Sequence, residues 1–281
     1  MKYAWTTDCH LDCLGQDRQR LKEFAESLCA SNPEGIFITG DISTSEQLIF
    51  HLAAIESVVR RPVYFVLGNH DFYNADVVTV RKQMKEVTNM SQHLCYLPTK
   101  PYVALTQSTA LIGHDGWYDA QHGDAANSTF LMNDWSQIRD FLEASGGHGF
   151  MSMMGRVKSM PQITIKAREL AQECATHVHD AIKQAVRYHK NIVLLTHVPP
   201  FAESALHFGK ASDPHAVPFY TNKILGDLLI DAARSYPTVS FTVLCGHTHS
   251  YYYGKHAKNL RVFVGKAEYN VPTLANEIDV T

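Results

Sequence analysis

The chain has 281 residues, 45% of them apolar and 19% charged, with a formal charge of −3. That length can bury a large core, as one domain or as one domain carrying an insertion, and the composition is that of a water-soluble globular protein. The slight negative charge, without a strong basic run, argues against general binding to nucleic acid backbones, so no nucleic acid polymer is expected as a partner.

The opening stretch, "MKYAWTTDCH", has one lysine and a short apolar run that meets charge at Asp8. It lacks the long apolar segment and small-residue cleavage site of a secretion signal. No stretch approaches the ~20 apolar residues of a membrane span, so no membrane partner is expected. Six cysteines stand at positions 9, 13, 29, 95, 174 and 245 with no CxxC pair. In a chain this long they read as reduced thiols, which predicts a cytoplasmic protein.

In chain order, "KYAWTT" (2–7) predicts a strand ending near Asp8. Leu21, Phe24, Ala25 and Leu28 then recur at i, i+3, i+4 and i+7, the stripe of an amphipathic helix. "GIFITG" (35–40) predicts a buried strand closed by glycine. Ser43 and Glu46 stand at capping-box spacing at the head of the next helix. "PVYFVLG" (62–68) is a third strand and "VVTVRKQMKEV" a third helix. This β-α-β-α-β-α order predicts parallel strands joined by helical crossovers. "YVALTQ" (102–107) and "TALIGHD" (109–115), split by Ser108, predict a hairpin. A long amphipathic helix from 165 leads into the strand "NIVLLTH" (191–197). A helix over 221–235 leads into "VSFTVLCGH", and "YYYGKH", "RVFVG" and "NEIDV" are closing strands. Residues 116–162 fit this rhythm least; they are the best candidate for an insertion or cap, with connecting structure whose methionines fill the core as an equal reading. Within them "STFLMNDWSQIRDFLEASGG" reads as one helix stopped by Gly146 and Gly147, and a methionine-rich stretch with Arg156 follows.

The ends of the apolar runs carry the chemistry. Asp8 and His10 follow the first strand, Gly40 and Asp41 the second, and Gly68, Asn69, His70 and Asp71 the third. His197 ends the strand at 191–197, and Gly246, His247 and His249 follow the strand after it. In open α/β sheets ligands bind beyond these carboxyl ends. Extended backbone would aim residues i and i+2 to one side, so Asp8 with His10, and His247 with His249, would each share a cavity. The adjacent glycines would let the backbone turn and approach closely. Carboxylates, imidazoles and an amide oxygen without paired thiolates suit Zn, Fe, Mn or similar ions, and Asp41 could bridge two of them. Each piece alone is weak; the conjunction of five clusters at strand ends is the signal.

The ordered series D-x-H, G-D, G-N-H-D, H, G-H-x-H over residues 8–249 resembles the calcineurin-like metallophosphoesterase superfamily. The resemblance implies an α/β (α+β mixed) fold, a four-layer α-β-β-α sandwich of two packed mixed sheets. It implies a dinuclear metal site at the strand C-terminal ends. One metal would be held by Asp8, His10, Asp41 and His249, the other by Asp41, Asn69, His197 and His247, with Asp41 bridging. His70 matches the family histidine that does not bind metal but serves the leaving oxygen or the phosphoryl group. The cofactors implied are two divalent or trivalent ions, Mn, Fe or Zn first and Mg, Ni or Co next. The implied reaction is phosphoester hydrolysis by in-line attack of a metal-bridging water or hydroxide. Its partner would be a small-molecule phosphodiester or phosphomonoester such as a nucleotide. Alternatives are a Ser/Thr-type protein phosphatase and a non-catalytic scaffold. The first is weakened because Thr44 stands where that branch has a second aspartate to orient its histidine; the second is weakened because no ligand is missing. Asp71 is the candidate to orient His70 instead. Cys9, between two ligands, is expected to be buried and structural, with a weaker reading as a point of oxidation sensitivity.

Two segments are candidates to shape the substrate pocket. In "GHDGWYDAQHGD" (113–124), His114, Trp117 and Tyr118 follow a strand end, with the rings able to stack on a base or to pack under the site, and plain core packing slightly favoured over either. In the long irregular stretch 197–220, His207, His215 and Tyr220 are the polar candidates.

Overall fold

The computed structural model describes residues 1–146 and 153–281, with the side chains of 153–159 set aside. The first half alternates β1 (Lys2–Thr6), α1 (Arg18–Ser27), β2 (Gly35–Thr39), α2 (Ser45–Val59), β3 (Val63–Val66), α3 (Val77–Met90) and β4 (Leu94–Tyr96). The hairpin β5 (Val103–Ala104) and β6 (Thr109–Gly113) follows, then the short helices α4 (Asp134–Gln137) and α5 (Arg139–Ala144) and the long α6 (Met153–Ala185). The last part holds β7 (Asn191–Leu195), the two-residue strands β8 (Leu206–His207) and β9 (Lys210–Ala211), α7 (Lys223–Ser235), β10 (Ser240–Cys245), β11 (Tyr252–Ala257), β12 (Leu260–Val264) and β13 (Asn276–Asp279).

Two mixed sheets result. One runs β13-β1-β2-β3-β4, parallel except for β13. The other runs β11-β12-β10-β7-β6-β5, with a parallel centre and antiparallel edges. The pleat explains why the sheets stack. Along β1 and β2, Tyr3, Trp5 and Phe37 face the second sheet and meet Leu111, Val193, Leu195 and Leu244. The alternate residues Ala4, Ile36 and Ile38 face the helices, with Leu21 and Phe24 of α1 and Leu48, Leu52 and Ile55 of α2 in that core. On the far side, Ile192, Leu194, Phe241 and Val243 pack in one core with Cys174 and Val178 of α6 and Leu225 and Leu229 of α7. Each fully buried Leu, Ile, Val or Phe contributes roughly 1.5–3 kcal/mol, so these three cores fix the four-layer α-β-β-α order.

The hairpin at Ser108 and the helices and strands in the order predicted are all present. Two local expectations change. Thr44 is the N-cap of α2, and Ser43 does not cap it; Ser43 Oγ is 2.7 Å from His51 Nδ1 inside the core. The single helix expected over 128–147 is two, because Ile138 is extended (φ −107°, ψ 125°) and wholly buried. The break seats Trp135 and Phe141 together in the first core. Gly147 and the methionine-rich stretch with Arg156 lie outside the described residues and side chains. Among the described residues no helix is long and apolar enough to cross a membrane.

Candidate metal centre

The seven side chains expected as metal ligands converge beyond the C-terminal ends of β1, β2, β3, β7 and β10. The first sheet supplies Asp8, His10, Asp41 and Asn69, and the second supplies His197, His247 and His249. Their local backbone is not the extended form expected. Asp8, His10, Asp41, His247 and His249 are all left-handed, with φ of 49°, 41°, 49°, 73° and 54°. A side chain in that region costs of order 1 kcal/mol or more, and such strain gathers at functional sites. The tight turns, rather than strand alternation, bring each pair into one cavity. Two glycines make the approach possible. A Cβ at Gly68 would lie 2.2 Å from Asp41 Oδ1, and one at Gly246 would lie 2.2 Å from Asp8 Oδ2.

The donors fall into two groups that share Asp41. In the first, ligand atoms of Asp8, His10, Asp41 and His249 all lie within 4.8 Å of one another. His10 Nε2 is 3.1 Å from His249 Nε2 and 3.7 Å from Asp41 Oδ2, and His249 Nε2 is 3.3 Å from Asp8 Oδ1. In the second, Asn69 Oδ1 lies 3.1 Å from His197 Nε2 and 3.0 Å from His247 Nδ1, and Asp41 Oδ1 is 3.3 Å from His197 Nε2. In this second group the far side of each imidazole and of the amide is tied. His197 Nδ1 donates to Thr39 O (2.8 Å), His247 Nε2 to Phe219 O (2.9 Å) and Asn69 Nδ2 to Asp134 Oδ1 (2.8 Å). Such outer contacts fix which atom of a ligand faces a metal.

Charge tests whether a cation fits. Asp8 and Asp41 are buried, and among the described residues neither pairs with a lysine or arginine. Burial works to raise both carboxyls, but His249 brings Asp8 down to about 2, and His197 and His70 hold Asp41 well below the carboxylate range. The positive charge these carboxylates draw falls on imidazole: burial opposes it, yet Asp41 raises His197 to about 10. Burial lowers His10 and His247 to about 4, leaving them neutral and fit to bind metal. Oxygen and imidazole donors, buried anionic charge and no thiolate fit borderline or hard divalent and trivalent ions.

His70 stands beside this centre. Its ring stacks on Tyr73 (4.3 Å) and meets His10 edge-on (4.6 Å), and Nε2 is 4.0 Å from Asp41 Oδ2. Asp71 does not join it. The Asp71 carboxylate is fully buried and accepts from the backbone amides of Ile42, Ser43 and Gly68, stapling the second and third strand-end loops together. The expectation that Asp71 is catalytic gives way to a structural role.

The substrate-side expectations divide. A cavity of about 790 Å³ adjoins the centre and is lined by His207, Tyr220, His247, His249, Lys266 and Tyr269, among others. His207 and Tyr220 thus stand on the wall of this cavity. His215 does not line this cavity; it sits on the loop whose carbonyl accepts from Ser128 Oγ. His114 faces another cleft, with Arg81, Glu173 and His177. Trp117 and Tyr118 are in the core, stacked on Phe141. Three site residues had no sequence signal. Tyr269, on the loop after β12, lays its ring 4.4 Å from His10 and 4.9 Å from His249. Tyr73 supports His70 from one turn past the G-N-H-D motif, and Asp134 reaches in from α4.

The sequence profile of calcineurin-like phosphoesterases matches residues 1–251. Among curated proteins no sequence matches the chain. A phosphopantetheinyl hydrolase from Mycobacterium tuberculosis superposes with a TM-score of 0.64 at 15% identity, covering 95% of this chain and 89% of that one. A dimetal phosphatase from Danio rerio superposes at 0.59 and 11% identity, covering 97% and 89%. A protein from Thermus thermophilus superposes at 0.54 and 10% identity, covering 94% and 88%. At these identities the likeness is one of fold.

Proposed function

The chain belongs to the calcineurin-like phosphoesterase family, which implies metal-dependent phosphoester hydrolysis, and we propose that it is a two-metal hydrolase of small-molecule phosphoesters. The observation that carries this is the pair of donor groups sharing Asp41, one drawn from Asp8, His10 and His249, the other from Asn69, His197 and His247. When bound, two such cations neutralise phosphate oxygens and supply a nucleophile at neutral pH. The chain does the rest. Asp41 faces both groups, and Thr39 O and Phe219 O hold His197 and His247 in the ligating orientation. His70, with 18% of its side chain exposed, presents a proton donor beside the first group for the departing oxygen.

The cavity supports a small-molecule substrate. At about 790 Å³, walled by Tyr220, Tyr251, Tyr269 and Phe208 and carrying Lys266, it suits a nucleotide-sized phosphoester. The Danio rerio neighbour is a dimetal phosphatase, which supports the same count of metals. The test is turnover of manganese-loaded protein on bis(p-nitrophenyl) phosphate against p-nitrophenyl phosphate. Preference for the first makes it a phosphodiesterase, and preference for the second a phosphatase or nucleotidase. Metal-loaded protein inert on both, and on a nucleotide panel, refutes the proposal.

A further inference from the structure

We infer that Asp134 is a positioning residue of this centre, one that sets the polarity of the Asn69 amide so that its oxygen, not its nitrogen, faces the second donor group. This rests on the two-metal reading above. An asparagine amide has two ends of nearly equal shape and opposite chemistry: its oxygen can hold a cation and its NH₂ cannot. Here Asn69 Oδ1 points at His197 Nε2 and His247 Nδ1, while Asn69 Nδ2 donates to Asp134 Oδ1 at 2.8 Å. A carboxylate only accepts. A flipped Asn69 would set oxygen against oxygen in a site where Asp134 and Asn69 are both buried, and would leave an amide NH₂ facing the cation.

The same oxygen does a second task. Tyr73 O–H donates to Asp134 Oδ1 at 2.9 Å, and the Tyr73 ring is the plate on which His70 stacks. One carboxylate thus holds both Asn69 and the support of His70. It comes from α4, 65 positions beyond Asn69, within the segment that the sequence suggested as an insertion.

The test is calorimetric titration of metal-free protein with Mn²⁺, with metal content counted after dialysis and thermal unfolding followed in parallel. Asp134→Leu is close in shape and removes the acceptor. It is expected to leave one Mn²⁺ at its wild-type affinity and to weaken the other about ten- to hundredfold, the usual scale for an outer-shell partner. Asp134→Asn alone, which can also turn its NH₂ toward Asn69, is expected to weaken the same site. The swap Asn69→Asp with Asp134→Asn keeps an oxygen toward the centre and restores a donor behind it, and is expected to recover that site to within a few fold of the wild type. Wild-type affinities at both sites in Asp134→Leu or Asp134→Asn overturn the inference. So does a swap that binds no tighter than Asp134→Asn, or loss of both sites in step with the melting temperature. If Asp134→Leu does not fold, Asp134→Asn and the swap decide it. A wild type that binds fewer than two Mn²⁺ overturns the two-metal reading itself, and this inference with it.

Discussion

Asp41 Oδ1 lies 3.3 Å from His197 Nε2, with both side chains almost wholly buried, while the other oxygen of the same carboxylate faces His10 and His70. No other side chain among the seven ligand candidates touches both donor groups through separate oxygens. Asp41→Ala is therefore expected to lose both metals rather than one. Metal analysis of the dialysed variant checks this, and two ions per chain would remove Asp41 from the bridging position.

His70 and Asp41 differ in what they should control. The His70 ring is held by packing on Tyr73 and His10, and Nε2 is 4.0 Å from Asp41, too far for a hydrogen bond. His70→Ala should retain two metals and lose turnover by roughly 10²-fold or more, the scale of a positioned proton donor. Near-normal kcat with full metal content would refute that role.

Cys9 sits between two ligands yet should be inert. It is buried, and desolvation pushes its thiol up to about 12. At pH 8 only about 10⁻⁴ of such a thiol is ionised, and the thiolate is the reactive form. Cys13, four residues on, is exposed, though burial raises its thiol as well. Timed alkylation of native protein with iodoacetamide, read by peptide mass spectrometry, should label Cys13 and spare Cys9 until the chain is denatured. Early labelling of Cys9 would restore the reading of an oxidation-sensitive site.

The strand ends were legible because each ligand sits within a few residues of an apolar run whose direction and end are themselves local signals. Glycine at 40, 68 and 246 marked where backbone must pass close to backbone or carboxylate, as Gly68 does against Asp41. The left-handed turns at Asp8, His10, Asp41, His247 and His249 were not legible, since Asp and His enter that region more often than other side chains but still only in a small minority of their occurrences. Asp134 and Tyr269 were hidden for a different reason: they arrive from loops distant in sequence, and only the closed fold sets them beside Asn69 and His10. His114, Trp117 and Tyr118 looked like pocket residues because they follow a strand end. The chain turns inward after β6, so the rings fill the core and His114 faces a cleft away from the centre.

Trp117 turns that correction into a measurement. Its ring packs between Phe141 (5.5 Å), Phe72 (5.7 Å) and Tyr118 (5.7 Å) and is 1% exposed. A pocket residue changed to alanine would shift affinity for aromatic substrates while leaving the fold intact. A core residue does the opposite. Trp117→Ala leaves a cavity that its neighbours only partly fill, and should cost about 3–5 kcal/mol of stability. Chemical denaturation at fixed metal concentration should show that loss. At a temperature where the variant is still folded, KM for p-nitrophenyl phosphate and for a nucleotide should change in the same proportion or not at all. A selective rise in KM for the nucleotide, with stability unchanged, would put the indole back in the pocket.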